Sequence, residues 1–235
     1  MDSQWGKSRQ AKHLWEVERE VLDSSVPNLY GHYLFQYSDF KPLHFESTSL
    51  KYHYYGSENQ NDQLVIDYEA LPFRDNSLDC VVLHHILDGR KGAHQCLREA
   101  ARVVVPNGYL ILVGFNPYSS WGGSRLLGRY SFAPKGHYLA RSRAVDWLAL
   151  LGFRIEADVS LQYMPPVILK YFPRFSRLCD KVLSYLGLPC AGVYVLLARK
   201  LVAGRTPIRP QWRALSGRRI PVATPSTRGI GVTGR

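Results

Sequence analysis

The sequence lacks the usual marks of membrane, exported and metal-binding proteins. Its four cysteines form no CxxC pair and have no metal-ligand spacing with histidine, so we expect no metal site and no need for an oxidising compartment. The longest apolar runs, CVVLHHIL and YLILVGF, are far too short to span a bilayer. The N-terminus has no apolar signal core. We therefore expect a cytoplasmic protein without a membrane span.

Acidic residues are absent from the C-terminal end of the chain. Residues 201–235 carry seven arginines, which supply +7 of the net charge of +11 and leave the remainder only mildly basic. This stretch is rich in Pro, Gly, Ser and Thr and has no periodicity, which predicts one domain over 1–200 and a basic, disordered tail over 201–235. The tail either contacts nucleic acid through phosphates or is a solvated extension.

Hydrophobic periodicity predicts alternating strands and helices along the first 200 residues. We expect helices over 11–22 and 93–104 and one with Ser142 as its N-cap and Gly152 as its left-handed stop. The predicted strands cover 33–37, 50–55, 64–67, 78–84, 109–115, 153–159 and 192–198.

This alternation is typical of an α/β fold with a doubly wound sheet. Such sheets bind their ligands beyond the carboxyl ends of the strands, where the strand order reverses. The rule places residues 36–40, 67–73 and 84–88 around one crevice. It predicts where a ligand binds without identifying the ligand.

Several short motifs between residues 64 and 117 occur together. DYEALPF at 67–73 resembles the D-x-x-x-LPF segment of class I S-adenosylmethionine-dependent methyltransferases of the type 11-like group, and NSLDCVV at 76–82 is similar to their NSFDxVx strand. HHIL at 84–87, LRE at 97–99 and RVVVPNG at 102–108 resemble the pattern xHxL…LREaxRVLkPGG. FNPYSSWG at 115–122 is similar to the FNPWSLWG motif of a poorly characterised bacterial branch of that family.

The resemblance implies a Rossmann-like methyltransferase sheet, mostly parallel with an antiparallel last strand. It also implies S-adenosylmethionine as cofactor and a small-molecule or acyl-carried substrate, with substrate-side insertions over about 116–140 and 160–190. Carried over by position, the cofactor-binding residues would be Gln36, Ser38, Glu58, Asp67, Ala70, Leu71, Leu83 and His84. Asp67, Ala70 and Leu71 would meet the adenine, Leu83 and His84 the sulfonium, and Glu58 the ribose. The alternative for residues 71–73 is that they only close the end of the sheet.

The loop after the first strand departs from the family. Class I methyltransferases have an acidic residue and then GxGxG there, so that the backbone can approach the cofactor. Here Gln36 stands in place of the acid, Ser38 in place of the first glycine and Phe40 in place of the second. A β-carbon at such a tight turn is unfavourable by about 1 kcal/mol or more. The alternative function is therefore a catalytically degenerate methyltransferase-fold protein that acts in binding or regulation.

His84 and His85 form a titratable pair at the predicted crevice, and His85 is the candidate catalytic base. Adjacent side chains of a strand point to opposite faces, so we expect at most one imidazole to face the crevice. The alternative is one hydrogen-bonded structural histidine and one surface histidine. Methyl transfer depends mainly on aligning nucleophile, methyl group and sulfur, so activity does not require this base.

Overall fold

The computed structural model describes residues 9–25, 29–38, 49–57, 64–88, 92–119, 121–122, 138–163, 178–179, 182–183 and 190–201. Its helices are α1 (Arg9–Ser25), α2 (Ala93–Val103) and α3 (Arg141–Leu150). Its strands are β1 (Tyr33–Ser38), β2 (Tyr52–Ser57), β3 (Leu64–Val65), β4 (Leu78–His84), β5 (Val104–Phe115), β6 (Phe153–Leu161) and β7 (Val193–Lys200).

Within the described residues the strands form one sheet in the order β3-β2-β1-β4-β5-β7-β6. Neighbours from β3 to β5 are parallel, and β7 runs antiparallel to both β5 and β6. The strand order reverses between β1 and β4, which makes their carboxyl ends the topological switch point. The predicted fold class is thereby confirmed.

Each face of the sheet has its own apolar core because strand side chains alternate between faces. On one face, Val81 and Leu83 of β4 pack in the core that includes buried residues of α2 and α3. On the other face, Cys80 and Val82 pack with Leu14 and other apolar residues of α1. Burial on both faces explains why β4 is almost continuously apolar in sequence.

Several predicted boundaries differ from the structure by a few residues, and two of them have a local backbone reason. β5 begins at Val104 and not at residue 109, because Val104 already pairs with Leu78 of β4. The register of this pairing then shifts before Tyr109, and the intervening Asn107 has a left-handed φ of 64°. The N-cap of α3 is Ala140 and not Ser142, and no side chain caps that helix. Gly152 does adopt the predicted left-handed conformation, with a φ of 83°.

The described residues include no helix that is both long and apolar enough to cross a membrane. Residues 202–235 lie outside the described residues, as do Phe40 and Glu58. The division into a domain over 1–200 and a basic tail therefore stays a prediction.

Two leucines of α3 test the assignment of its buried face. Leu148 is fully buried and Leu150 is 81% exposed. We expect Leu148→Ala to lower the free energy of unfolding by about 2–4 kcal/mol, because the substitution leaves a cavity under the helix. Leu150→Ala is the matched control, with an expected change within about 0.5 kcal/mol. Denaturant unfolding measures both, and equal losses would contradict the packing.

Candidate functional site

The switch point is built from the last residues of β1 and β4. Ser38 pairs in register with His84, so the two side chains lie side by side at the carboxyl ends of adjacent strands. Ser38 Oγ lies 2.9 Å from Nδ1 of His84, and both side chains are buried. The predicted crevice residues do meet here, but as hydrogen-bonded partners in the protein interior.

A carboxylate from α1 completes this cluster. Glu18 lies four residues from both Leu14 and Leu22, so it belongs to the buried face of the amphipathic helix. Its Oε2 lies 3.0 Å from Nε2 of His84, and its Oε1 lies 2.9 Å from Nε2 of His85. All three side chains are fully buried. A contact across 66 residues of sequence thus fixes α1 over the ends of the strands.

Both imidazoles reach Glu18 because the chain leaves the strand geometry at His85. The φ of His85 is 55°, a left-handed value that is uncommon for a residue with a side chain. The expectation that at most one histidine faces the site is therefore wrong: the strand alternation on which it rests ends at His84. The His85 ring stacks on Phe115 at a centroid distance of 4.3 Å.

Asp88 holds the second nitrogen of His85. Its Oδ2 lies 2.8 Å from Nδ1 of His85, and it also accepts a hydrogen bond from the backbone N–H of Phe115. We name Glu18, Ser38, His84, His85 and Asp88 the strand-end network. Each of its polar side chains has a described partner, which buried polar groups need in order to offset the loss of water.

Burial and pairing set the charges within the strand-end network. Burial by itself would raise the pKa of Glu18, but the positive charge of His85 and hydrogen bonds from both histidines lower this pKa to about 2. Burial would lower the pKa of His85, yet Glu18 and Asp88 raise this pKa to about 9. The pKa of His84 is lowered by burial, against the hydrogen bond that its Nε2 donates to Glu18. Burial raises the pKa of Asp88, against its hydrogen bond with His85.

These shifts favour an ionised Glu18 paired with a protonated His85 near neutral pH. A neutral His84 can donate from Nε2 to Glu18 and accept the Ser38 hydroxyl proton at Nδ1. The candidate base His85 is thus occupied by two carboxylates. In this arrangement His85 holds its proton and is not free to remove one from a substrate.

The loop after β3 forms the other part of the predicted site, and it is open. Asp67 and Ala70 are exposed, whereas Leu71 is buried. The carboxylate of Asp67 accepts a hydrogen bond from the backbone N–H of Glu69 at 2.9 Å. At the loop's start, the Tyr37 hydroxyl donates to the backbone carbonyl of Ile66 at 2.6 Å.

Residues of α2 hold this loop in place. Arg102 donates to the backbone carbonyls of Leu71 and Phe73, at 3.0 and 2.9 Å, and to the carboxylates of Glu99 and Asp75. Glu99 in turn accepts from the backbone N–H of Leu71. The hydrogen bond with Arg102 lowers the pKa of Glu99. The LPF and LREaxR motifs are therefore two halves of one structural contact.

The remaining predicted cofactor residues are buried or outside the described residues. Gln36 is buried in β1, two residues before Ser38. Leu83 lies in the core on the face of the sheet that packs against α2 and α3. Glu58 is outside the described residues. The structure thus groups Ser38 with His84 and leaves Asp67 and Ala70 on a separate loop.

Sequence reasoning missed Glu18, and it placed Asp88 at the crevice within the range 84–88 without giving it a role. Glu18 had a detectable signal, since it is an acidic residue on the apolar face of a predicted amphipathic helix. Its partners, however, lie 66 and 67 residues away, which no local motif reveals. Asp88 lies three residues from His85, but only the turn that begins at His85 brings the two side chains together.

Residues 43–112 match the family model for a methyltransferase domain. The chain is 29% identical over 158 residues to the uncharacterized protein YafS of Escherichia coli K12, covering 66% of this chain and 64% of YafS. It is 40% identical over 65 residues to the ubiquinone/menaquinone biosynthesis C-methyltransferase UbiE of Hahella chejuensis, covering 28% of this chain and 26% of UbiE. The chain thus spans less than two thirds of the length of each of these relatives.

The fold is also shared with solved structures. A SAM-dependent methyltransferase from Archaeoglobus fulgidus superposes with a TM-score of 0.57 at 14% identity. The match covers 79% of this chain and 94% of that protein. At this level of identity the likeness establishes the fold.

Replacing Arg102 tests whether α2 holds the loop after β3. We expect Arg102→Ala to lower the free energy of unfolding by about 1–3 kcal/mol, because two backbone carbonyls and two carboxylates lose a charged donor. Arg98→Ala, at an exposed position of the same helix, is the control and should change stability by less than about 0.5 kcal/mol. Hydrogen exchange of the Leu71 amide should accelerate in Arg102→Ala alone. Unchanged exchange there would contradict the assignment.

Proposed function

We propose that the chain is a class I methyltransferase that binds S-adenosylmethionine and methylates a small-molecule or acyl-carried substrate, because residues 43–112 match a methyltransferase domain and the fold is shared with a SAM-dependent methyltransferase. The main support is that the methyltransferase match over residues 43–112 includes β2, β3, β4 and most of β5. Ligands of doubly wound sheets bind at the carboxyl ends of such strands. The substrate class goes beyond this support and rests on the family resemblance.

The loop after β3 fits the adenosine end of the cofactor. Asp67 presents an exposed carboxylate that can accept from an exocyclic amine, and Ala70 adds a small exposed side chain. Leu71 is buried beneath them, and its backbone is held by Glu99 and Arg102. A fixed loop loses little conformational entropy when a nucleoside binds.

The residues predicted to meet the methionine end depart from the family pattern. At Ser38, where the family has its first glycine, the side chain points to His84 and is buried. The open glycine backbone is therefore replaced by part of the strand-end network. Asp67 and Ala70 fit the adenosine half of the cofactor. The residues at the end of β1 do not provide the usual glycine cradle for the methionine half.

The cofactor supplies an electrophilic methyl group on a sulfonium. What the chain must add is orientation and exclusion of water, since methyl transfer needs the nucleophile in line with the departing sulfur. The hydrogen bonds from Arg102 of α2 to the backbone carbonyls of Leu71 and Phe73 hold the loop after β3 in one position, which can orient a bound cofactor. No proton transfer by His85 is required.

Equilibrium binding of S-adenosylmethionine, measured by calorimetry, tests the proposal. We expect Asp67→Ala to weaken binding about fivefold to tenfold, because it removes one acceptor for the adenine. Glu20→Ala is the control: it removes an equal charge from an exposed position of α1 and should leave the affinity unchanged. No detectable heat with the wild-type chain at millimolar cofactor would overturn the proposal.

A second candidate function is a binding or regulatory protein that has kept the fold and lost the cofactor. The observation that favours it is the buried position of Ser38 and His84 beneath Glu18. The double variant Ser38→Gly/Phe40→Gly distinguishes the two functions. Cofactor affinity that appears only in this variant would support the second function, and binding by the unmodified chain would remove it.

A further inference from the structure

Glu18, His84 and His85 direct three metal-binding groups at one small volume. The carboxylate of Glu18 and one ring nitrogen from each histidine lie within 4.8 Å of one another. All three side chains are fully buried, on two elements that are distant in sequence. Two imidazoles and one carboxylate form a donor set used by zinc and by non-haem iron.

The same ring atom of each histidine faces the shared carboxylate. Nε2 of His84 and Nε2 of His85 both contact Glu18, while each Nδ1 is held by another side chain. Ser38 holds Nδ1 of His84 at 2.9 Å, and Asp88 holds Nδ1 of His85 at 2.8 Å. Metal-ligating histidines usually donate their other N–H to an oxygen, which fixes the tautomer and the ring orientation. With a metal in place of the Nε2 proton, Nδ1 of His84 would carry the proton and donate to Oγ of Ser38.

The separations are also close to those of metal ligands. At bond lengths of about 2.1 Å, two neighbouring ligands are about 3.0 Å apart in octahedral geometry and about 3.4 Å apart in tetrahedral geometry. The carboxylate oxygens lie 3.0 and 2.9 Å from the two Nε2 atoms. All three ligand atoms lie within 4.8 Å of one another, so the main movement needed is a closer approach of the two Nε2 atoms.

The sign of the buried charge also favours a cation. A divalent cation at this position would be opposite in charge to the buried carboxylate of Glu18. Buried charges are tolerated when they are paired or bound to metal. A metal would take the place of the protons that otherwise lie between Glu18 and the two Nε2 atoms.

We propose that Glu18, His84 and His85 bind a divalent transition metal ion of the zinc or ferrous iron type, with Ser38 and Asp88 as the outer partners of the two imidazoles. The ion would lock α1 onto the carboxyl ends of β1 and β4. Because its ligands are fully buried and join α1 to the end of β4, we assign the ion the role of holding these two elements together. This assignment departs from the sequence-based expectation of no metal site, and it does not depend on cofactor binding.

Zinc and cobalt binding to the untagged, full-length, chelator-stripped chain test the proposal. We expect about one equivalent of Zn²⁺ to bind, to raise Tm by several degrees, and to be retained through gel filtration. Co²⁺ should give visible absorption bands typical of nitrogen and oxygen ligands. A folded wild-type chain that binds neither ion would overturn the proposal, whatever the variants do.

Matched variants place the ion. Glu18→Gln and His85→Gln should each weaken Zn²⁺ binding more than tenfold, and Asp88→Asn about tenfold to a hundredfold through its effect on His85. Glu20→Gln and His13→Gln, at α1 positions that do not belong to the strand-end network, are the controls and should bind like the wild type. Asp88→Asn leaves the three ligands in place, so it remains informative if a ligand variant fails to fold.

Two further outcomes would overturn the assignment. Binding that is equal in Glu18→Gln and the wild type would locate the ion elsewhere. Binding that disappears when the cysteines are alkylated, with a cobalt–thiolate charge-transfer band, would assign the ion to the sulfur of residues such as Cys179 or Cys190.

Discussion

The contact of Glu18 with His84 and His85 is the interaction on which the site depends. It joins α1 to the carboxyl end of β4 at the point where strand order reverses, which is where doubly wound sheets bind their ligands. Apolar packing by Leu14 and Leu22 places the helix on this face of the sheet. The buried ionic contact then fixes the register of the helix, because only one position along it puts a carboxylate between the two imidazoles.

Such a contact contributes more to specificity than to net stability. Removing water from a carboxylate and two imidazoles costs several kcal/mol, and the attraction between them returns roughly that amount. Removing one partner alone leaves a buried charge without compensation, which commonly costs about 3–5 kcal/mol. The network thus makes alternative placements of α1 unfavourable, and this constrains the ends of β1 and β4 as firmly as an apolar core would.

Sequence patterns predicted those parts of the fold that depend on local burial. β4 was predicted residue for residue over 78–84, because a strand buried on both faces is a continuous apolar run. The start of β5 was missed because the Pro-Asn-Gly segment at 106–108 is typical of the end of a helix, whereas Val104 before it already pairs with Leu78. The site was predicted less well because it depends on tertiary contacts. The left-handed φ of His85 and its contact with Glu18 leave no trace in the local hydrophobic periodicity of the sequence.

The two halves of the candidate site differ in how closely they match the methyltransferase motifs that the sequence resembles. Around the loop after β3, the LPF and LREaxR motifs make a mutual contact through Arg102 and Glu99 that holds this loop against α2. At the end of β1, Ser38 has a side chain where the family uses a bare backbone, and that side chain is joined to His84 and through it to α1. A serine placed at this position without a partner would leave its buried hydroxyl group unpaired. Here the hydroxyl group of Ser38 has His84 as its buried partner. Ser38 is thus one of a set of buried polar residues that contact one another, and its side chain has a structural role at the end of β1.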